Sequence, residues 1–231
     1  MYGYGYRYNS GLVVGAGGGA PFTNTYSLDF DGMDDYLNVG SINLGNTFTL
    51  SAWVNLNGFA NSQNIVFGGG DGIYGMYIPN STSIYFNFGS GYALFTVPAL
   101  LTSTWYNIVF TRNGANGELF VNGISQGTTT ALGANNFTVN FLGCEKQTIG
   151  TKYYFNGNLD EPSIFNRVVT PTEIVTLSTA PTENLTSLNP ISWWRMGDGD
   201  TYPTITDNGS GGNNGTMTNM TVGSIVSDVP V

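Results

Sequence analysis

The sequence predicts an all-β fold, a two-sheet antiparallel jelly-roll sandwich with one short helix. Apolar and polar residues alternate along many short segments, as they do in strands with one buried face. Asn-Gly pairs and other turn-forming residues separate these segments. Hydrophobic residues make up 41 % of the 231 residues and aromatic residues 14 %, which is enough apolar surface for one large core.

The chain begins with a Gly/Tyr-rich segment, residues 1–21, which we predict to be a flexible arm or an assembly contact. Its tyrosines alternate with Gly or Arg and have no core to enter. Tyrosine is a common anchor in interfaces, so these residues are candidate partner-binding residues, and a disordered tail is the alternative. The four tyrosines are Tyr2, Tyr4, Tyr6 and Tyr8.

Residues 22–178 are predicted to form the jelly roll. In Phe48–Leu56 every second residue is apolar, so Phe48, Leu50, Ala52, Val54 and Leu56 share one face of a strand. Two further strands are expected around the acidic turn at Gly32. The remaining predicted strands are Asn64–Phe67, Gly75–Ile78, Ser83–Phe88, Tyr92–Val97, Trp105–Thr111, Glu118–Val121, Thr138–Leu142, Thr148–Gly150 and Tyr153–Asn156.

Turn and helix signals complete this region. Asn113-Gly114 and Asn116-Gly117 are predicted as turn residues between two strands, since Asn and Gly tolerate positive φ. The tetrapeptide Thr170-Pro-Thr-Glu173 is a capping box with proline at the first helical position. It predicts a short helix that ends near Ser178.

Residues 179–231 contain a Thr/Pro-rich linker, 179–189, and a C-terminal segment. Roughly 40 residues are too few for an independent core. The segment is therefore predicted to complete the same jelly roll or that of a neighbouring subunit, by strand exchange.

Charge and cysteine content exclude several classes of partner. The net charge is −9 with only six Lys and Arg residues, so binding to nucleic acid is not expected. No apolar stretch approaches the ~20 residues of a membrane-spanning helix, so no membrane insertion is expected. Cys144 is the only cysteine, which rules out an internal disulfide framework and suits a buried apolar position.

The residues needed for catalysis are also missing from the pattern. The chain has no histidine, which excludes Ser-His and Cys-His nucleophilic sites. A glycosidase needs two carboxylates flanking the scissile bond. The closely spaced pairs Asp29/Asp31 and Asp198/Asp200 lie beside glycines and are better interpreted as turn formers. We therefore predict a protein that is not an enzyme.

Several blocks in order resemble the laminin-G-like, concanavalin A-like jelly-roll family. They are Ser27–Tyr36, Phe48–Val54, Trp105–Arg112, Gly117–Gly123, Phe155–Glu161 and Phe165–Pro171. The resemblance implies a two-sheet antiparallel sandwich. The later blocks Trp193–Asp198 and Asp207–Thr216 look like the segment that normally opens such domains, and here it follows the domain. This arrangement is similar to that of laminin-G-like proteins of marine phages.

The resemblance also implies a calcium site. In the family, the loop corresponding to residues 207–215 and the aspartate corresponding to Asp160 often lie near calcium. Asp160, Asp207 and Asn213 are therefore candidate ligands, although Asn214 stands where the family commonly has an acid. The alternative is a Gly/Asn turn in which Asp207 acts only as a local cap.

Two functions follow as expectations. The first is a non-enzymatic structural protein at a virion surface, such as a phage decoration, appendage or fibre component, in contact with other virion proteins and with copies of itself. The alternative is a carbohydrate-binding adhesin or lectin at an extracellular or cell surface, with calcium as a candidate cofactor. Aromatic residues that could line a sugar platform, but that are more often core, are Trp53, Trp105, Tyr74, Tyr77 and Tyr85.

Overall fold

The computed structural model describes residues 23–59, 63–70, 73–89, 91–145, 153–179 and 184–231. In this part of the chain, two antiparallel sheets stack face to face, and a two-stranded ribbon and one α-helix accompany them. The predicted all-β, two-sheet sandwich with one short helix is confirmed. The predicted strand Thr148–Gly150 and the four tyrosines of residues 1–21 lie outside the described residues.

The helix is α1 (Pro171–Thr179), and two short 3-10 turns cover Leu185–Leu188 and Val222–Ser224. The strands in chain order are β1 (Ser27–Asp31), β2 (Tyr36–Gly45), β3 (Thr47–Leu56), β4 (Asn64–Gly68), β5 (Gly75–Asn80), β6 (Ser83–Asn87), β7 (Tyr92–Thr96), β8 (Trp105–Asn113), β9 (Asn116–Val121), β10 (Ile124–Thr129), β11 (Phe137–Leu142), β12 (Cys144–Glu145), β13 (Tyr153–Tyr154), β14 (Asn156–Phe165), β15 (Ser192–Trp193), β16 (Thr204–Ile205), β17 (Gly215–Thr218) and β18 (Ile225–Val226).

Sheet A has the strand order β10-β9-β8-β3-β14-β1-β18, with β15 also paired to β14. Sheet B has the order β16-β17-β2-β11-β4-β5-β6-β7. Strands β8, β9 and β10 follow one another through tight turns. Asn122 and Gly123 both have positive φ between the paired residues Val121 and Ile124, as the Asn-Gly sequence favours in a two-residue hairpin.

The core lies between the two sheets. The predicted inward face of β3 is fully buried, from Phe48 to Leu56. Phe86 of sheet B and Phe110 of sheet A stack with ring centroids 3.6 Å apart, so the two layers are in direct contact. The outer face of sheet A carries a second, smaller apolar cluster under α1, formed by Val109, Phe165, Val169, Ile174, Leu177, Leu185 and Trp193.

The capping box at the start of α1 is present. The Glu173 amide donates to Thr170 Oγ1 over 3.3 Å, and the Thr170 amide donates to the Glu173 carboxylate over 2.6 Å. The helix has nine residues, and no helix in the described part of the chain is long and apolar enough to cross a bilayer.

The C-terminal segment pairs with strands of both sheets in its own chain. β15 pairs with β14, β17 with β2, and β18 with β1. Trp194 and Met196 from this segment are fully buried in the main core. The division of the chain into arm, jelly roll and C-terminal segment stays a prediction.

Three sequence-based expectations for individual strands differ from the structure. The predicted strand Tyr153–Asn156 is divided between β13 (Tyr153–Tyr154) and β14 (Asn156–Phe165). Asn116-Gly117 begins β9 and is not a turn. A Cβ at position 117 would lie 2.7 Å from atoms of Leu132 and Phe110. The glycine is required for close packing. Strand β10 was not expected, because its residues are mostly exposed and show no apolar alternation.

Candidate functional site

A cleft of about 390 Å³ opens on the outer face of sheet A. A volume of this size is within the usual range for small-molecule sites. The cleft lies where β8, β9 and β10 run side by side. Its lining residues are Thr111, Asn113, Asn116, Gly117, Glu118, Thr128, Thr129, Thr130 and Val168.

Strand register places the polar side chains of the cleft in rows. Thr111, Glu118 and Thr128 are direct partners across β8, β9 and β10. Asn113 and Asn116 are partners in the next row, at the hairpin end. Because residues two apart in a strand face the same side, these rows form one continuous surface.

Val168 forms the apolar wall of the cleft, in the loop that follows β14. Thr49 of β3 holds this loop in place. Its hydroxyl donates to the Arg167 carbonyl over 2.8 Å and accepts from the Val169 amide over 3.1 Å. The single buried hydroxyl of Thr49 therefore holds the residues on both sides of Val168 to the sheet.

Arg112 lies beneath the hairpin end of the cleft and is 1 % exposed. Its guanidinium donates to the Gly114 carbonyl over 2.8 Å and to the Asn135 carbonyl over 2.8 Å. Longer bonds reach the carbonyls of Leu132 and Gly133. Burial lowers the pKa of Arg112. The side chain ties the turn between β8 and β9 to the segment 132–135.

Several polar side chains of the cleft have unused hydrogen-bonding groups. In the described part of the chain, Asn113, Asn116, Thr128 and Thr130 make no side-chain hydrogen bond, and all four are exposed. Glu118 accepts a hydrogen bond from the Ser125 hydroxyl over 2.6 Å. Amides and hydroxyls both donate and accept, so this surface suits a ligand rich in hydroxyl groups.

A row of half-buried tyrosines on the outer face of sheet B is the second candidate surface. Tyr77 and Tyr85 are stacked, with centroids 5.2 Å apart. Tyr74 contacts Tyr77 at 5.5 Å and Tyr153 at 5.7 Å. Burial raises the pKa of Tyr77 to about 12, with smaller contributions from its neighbours. Only Tyr77 and Tyr85 are stacked, with an angle of 21° between their planes, and the contacts of Tyr74 are tilted by 49° and 48°.

Asp207 and Asn213, two of the predicted calcium ligands, lie together in one loop. Asp207 Oδ1 accepts from the amides of Trp193 and Gly209, both over 2.8 Å. Asp207 Oδ2 accepts from the Asn213 amide over 2.7 Å. The Asn213 carbonyl accepts from the Trp194 indole. Three of the four lone-pair positions on Asp207 are thus occupied by backbone donors, as expected for a loop cap, and the site fits a metal poorly.

Asp160, the third predicted ligand, belongs to a different group of charges. It is fully buried and accepts from the Asn24 side chain over 2.6 Å. Burial raises the pKa of Asp160 to about 7. Burial also raises the pKa of Glu161 well above its usual value, and the adjacent Asp160 adds to this. Glu161 accepts from the Trp193 indole and lies 3.5 Å from Arg195.

Calcium at Asp160, Asp207 and Asn213 stays a prediction. If calcium binds there, millimolar calcium should raise the midpoint of thermal unfolding above that of the same protein in chelator. The reason is that a ligand that binds only the folded state stabilises that state. The substitution Asp207→Asn should remove the difference. An unchanged midpoint would leave Asp207 with its capping role only.

The other closely spaced acids bind backbone amides. Asp31 Oδ1 accepts from the amides of Met33 and Asp34, and Asp200 accepts from those of Gly197 and Thr206. One group of three acids in the described residues, Asp31, Asp34 and Asp35, brings its carboxylate oxygens within 4.8 Å of one another. The turn bonds of Asp31 account for that closeness without a metal.

Sequence reasoning did not find the cleft. It placed Asn113 and Asn116 as turn residues and left the threonines of β10 without a role. The run Thr128-Thr-Thr130 was the available signal, since β-branched residues favour strands even where apolar alternation is absent.

Of the aromatic residues predicted as a sugar platform, Trp53 is 9 % exposed, and Trp105 is partly exposed on the outer face of sheet A.

Comparison with known proteins gives one family match. The model described as Concanavalin A-like lectin/glucanases superfamily (Laminin_G_3) matches residues 31–175. No curated protein matches the sequence at a significant level.

Solved structures show the same fold at low identity. A candidate carbohydrate-binding protein from Bacteroides ovatus aligns with a TM-score of 0.65 and 18 % identity, covering 85 % of this chain and 59 % of that one. The pentraxin of Limulus polyphemus gives 0.54 and 13 %, covering 68 % and 83 %. A sialidase module, CBM40, from Ruminococcus gnavus, bound to sialyllactose, gives 0.50 and 12 %, covering 66 % and 97 %. This chain therefore spans less than two thirds of the Bacteroides protein.

Proposed function

The chain belongs to the Concanavalin A-like lectin/glucanases superfamily, and on this premise we propose that it binds a neutral carbohydrate in the cleft of β8, β9 and β10 without acting on it chemically. The observation that carries the proposal is the set of uncommitted amide and hydroxyl side chains on that cleft, beside the aliphatic wall of Val168. The hydroxyl groups of a sugar can hydrogen-bond to these amide and hydroxyl side chains, and its C–H surface can pack against Val168. The Bacteroides protein and the CBM40 module, which share the fold, support carbohydrate as the class of ligand. Sialyllactose in the CBM40 structure is acidic, so the choice of a neutral sugar rests on the charges of this chain.

A neutral sugar suits the cleft better than an acidic one. The chain carries a net charge of −9, and Glu118 adds a carboxylate to the cleft. The cations in the described residues are engaged elsewhere. Arg112 is buried beneath the surface, Arg167 pairs with Glu173 at 2.7 Å, and Arg195 lies beside Glu161. An acidic sugar would lack the charged partner that carboxylates usually find in a binding site.

Binding without catalysis is supported by the carboxylates. Hydrolysis of a glycosidic bond generally uses two acids about 5–9.5 Å apart, one on either side of the bond. Glu118 is the one acid that lines the cleft. Asp31, Asp200 and Asp207 are held by backbone amides in loops.

The role at a virion surface gains no support from the family or the structural matches, and neither does the resemblance to marine-phage proteins. Both stay predictions. A glycan-binding role places the protein where glycans are displayed, at an extracellular or cell surface, and this location is part of the proposal.

Calorimetric titration tests the proposed function. The ligands are neutral oligosaccharides (cellotriose, maltotriose, arabinotriose and lactose) and the acidic 3′-sialyllactose. We expect a neutral sugar to bind, and the double variant Asn113→Ala, Asn116→Ala to weaken it about tenfold or more, since two hydrogen bonds are lost. Asn136→Ala, at an exposed asparagine that does not line the cleft, should leave the affinity unchanged.

The same titration separates the two candidate surfaces. Loss of binding in Tyr85→Ala, with normal binding in the cleft variant, would move the site to the tyrosine row of sheet B. If no oligosaccharide binds at millimolar concentration, or if 3′-sialyllactose binds best, the proposal is wrong.

A further inference from the structure

A line of polar and aromatic side chains crosses the outer face of sheet A, away from the cleft. Asp29 of β1 is the register partner of Asn158 on β14. Asn158 is the partner of Asn55 on β3, and Asn55 is the partner of Trp105 on β8. Four neighbouring strands thus each contribute one outward side chain to what we call the cross-sheet row.

Asp228, near the C-terminal end of the chain, contacts two residues of this row. Asp228 accepts from the Trp105 indole over 3.2 Å and from the Asn55 amide over 3.1 Å. The Asp228 carbonyl accepts from the Ser27 hydroxyl over 2.5 Å. Both donors to the carboxylate are neutral, and no ion pair to Asp228 occurs among the described residues.

The carboxylate of Asp228 matches only half of what the row offers. Asn55 is 6 % exposed, and its Oδ1 atom has no hydrogen-bond partner in the described part of the chain. Burial raises the pKa of Asp29, and the nearby acids Asp31 and Asp228 raise it further. The row therefore presents acceptors as well as donors, while a carboxylate can only accept.

A polyhydroxyl ligand satisfies both kinds of group. A sugar hydroxyl can accept from the Trp105 indole or the Asn55 amide and at the same time donate to Asn55 Oδ1 or to Asp29. The indole ring of Trp105 offers an apolar surface beside these groups, as aromatic residues often do in sugar sites. A neutral sugar also avoids the repulsion between a ligand carboxylate and Asp29.

We propose that the cross-sheet row is a second binding site for neutral sugars, and that residues 227–231 of the same chain cover it as an internal competitor. The inference rests on the proposed function for the class of ligand, but it concerns a separate site. Ligand and tail exclude each other, so the wild-type protein binds weakly here. Freeing the row raises its affinity for a sugar.

The variant Asp228→Ala tests this in the full-length chain. Titration with the neutral trisaccharides cellotriose, maltotriose and arabinotriose should give one site in the wild type and two in Asp228→Ala. Adding Trp105→Phe, which keeps an aromatic ring but removes the indole N–H donor, should return the number of binding sites to one. Asp34→Ala, an exposed acid without a side-chain hydrogen bond to the tail, is the charge-matched control.

A second variant guards against a folding defect. Asp228→Asn keeps the shape of the side chain, and its thermal midpoint should stay within a few degrees of the wild type. Its amide can accept from the Trp105 indole and donate to Asn55 Oδ1, so the tail should stay in place and the count should remain at one site. A count of one site in folded Asp228→Ala, or a second site in Asp228→Asn as strong as that in Asp228→Ala, would overturn the inference.

The cleft variant separates this inference from the proposed function. In the background Asn113→Ala, Asn116→Ala, the Asp228→Ala chain should keep the site that Trp105→Phe removes. If that site is present and the cleft site never was, the cross-sheet row is the sugar site and the proposed cleft is wrong. If no variant binds any of the three trisaccharides, both are wrong.

Discussion

Replacing Arg112 by methionine is expected to lower the free energy of unfolding by about 4 kcal/mol. The guanidinium is 1 % exposed and donates to four backbone carbonyls, those of Gly114, Leu132, Gly133 and Asn135. It also lies 4.7 Å from the centre of the Phe88 ring. Methionine fills a similar volume but makes none of these hydrogen bonds, so buried carbonyls lose their donors.

Denaturant unfolding followed by tryptophan fluorescence measures this loss, and a fall of roughly 10 °C in the thermal midpoint should accompany it. The control is Arg167→Met. Arg167 pairs with Glu173 on a surface where its side chain is 38 % exposed, so a change of about 1 kcal/mol or less is expected. Equal effects at the two positions would contradict the structural role of Arg112.

Raising the pH from 5 to 8 is expected to destabilise the protein by about 3 kcal/mol through Asp160 alone. Burial raises the pKa of Asp160 from 3.8 to about 7. Below pH 3.8 both the folded and the unfolded state hold the proton, so the free energy of unfolding does not change with pH through Asp160. Between 3.8 and about 7 only the folded state holds it, so stability falls as pH rises, and the curve levels off above 7. Glu161 acts in the same direction, since its pKa is also raised.

Thermal midpoints at pH 5, 6, 7 and 8 measure this trend, and Asp160→Asn should flatten it. The introduced amide can donate to Asn24 Oδ1, a buried acceptor that has no hydrogen-bond partner in the described residues. Glu173 does not interfere, because its lowered pKa of about 2 affects stability only as the pH falls below 4.5. A midpoint that stays constant or rises between pH 5 and 8 would show that Asp160 is ionised throughout.

Much of the fold could be predicted because its strands alternate. Phe48–Leu56 faces the core with every second residue, and the predicted helix begins at its capping box. Strand β10 could not be predicted this way, because neither of its faces is buried. The pairing of strands that are distant in sequence could not be predicted either, since nothing local in Ile225–Val226 specifies that this segment pairs with β1.

The candidate site was harder to predict than the fold, because it depends on register. Thr111, Glu118 and Thr128 become neighbours only when three strands align. Asp160 and Asp207 illustrate the opposite case. The resemblance grouped them as ligands, whereas the described contacts assign Asp207 to a loop and Asp160 to a buried charge cluster.

A crystal of the protein soaked with the best-binding neutral oligosaccharide tests the central claim most directly. We predict sugar density against Val168, with ring hydroxyls within about 3 Å of the side chains of Asn113, Asn116 or Thr128. Sugar bound on the tyrosine row of Tyr77 and Tyr85, with the cleft holding only water, would contradict it.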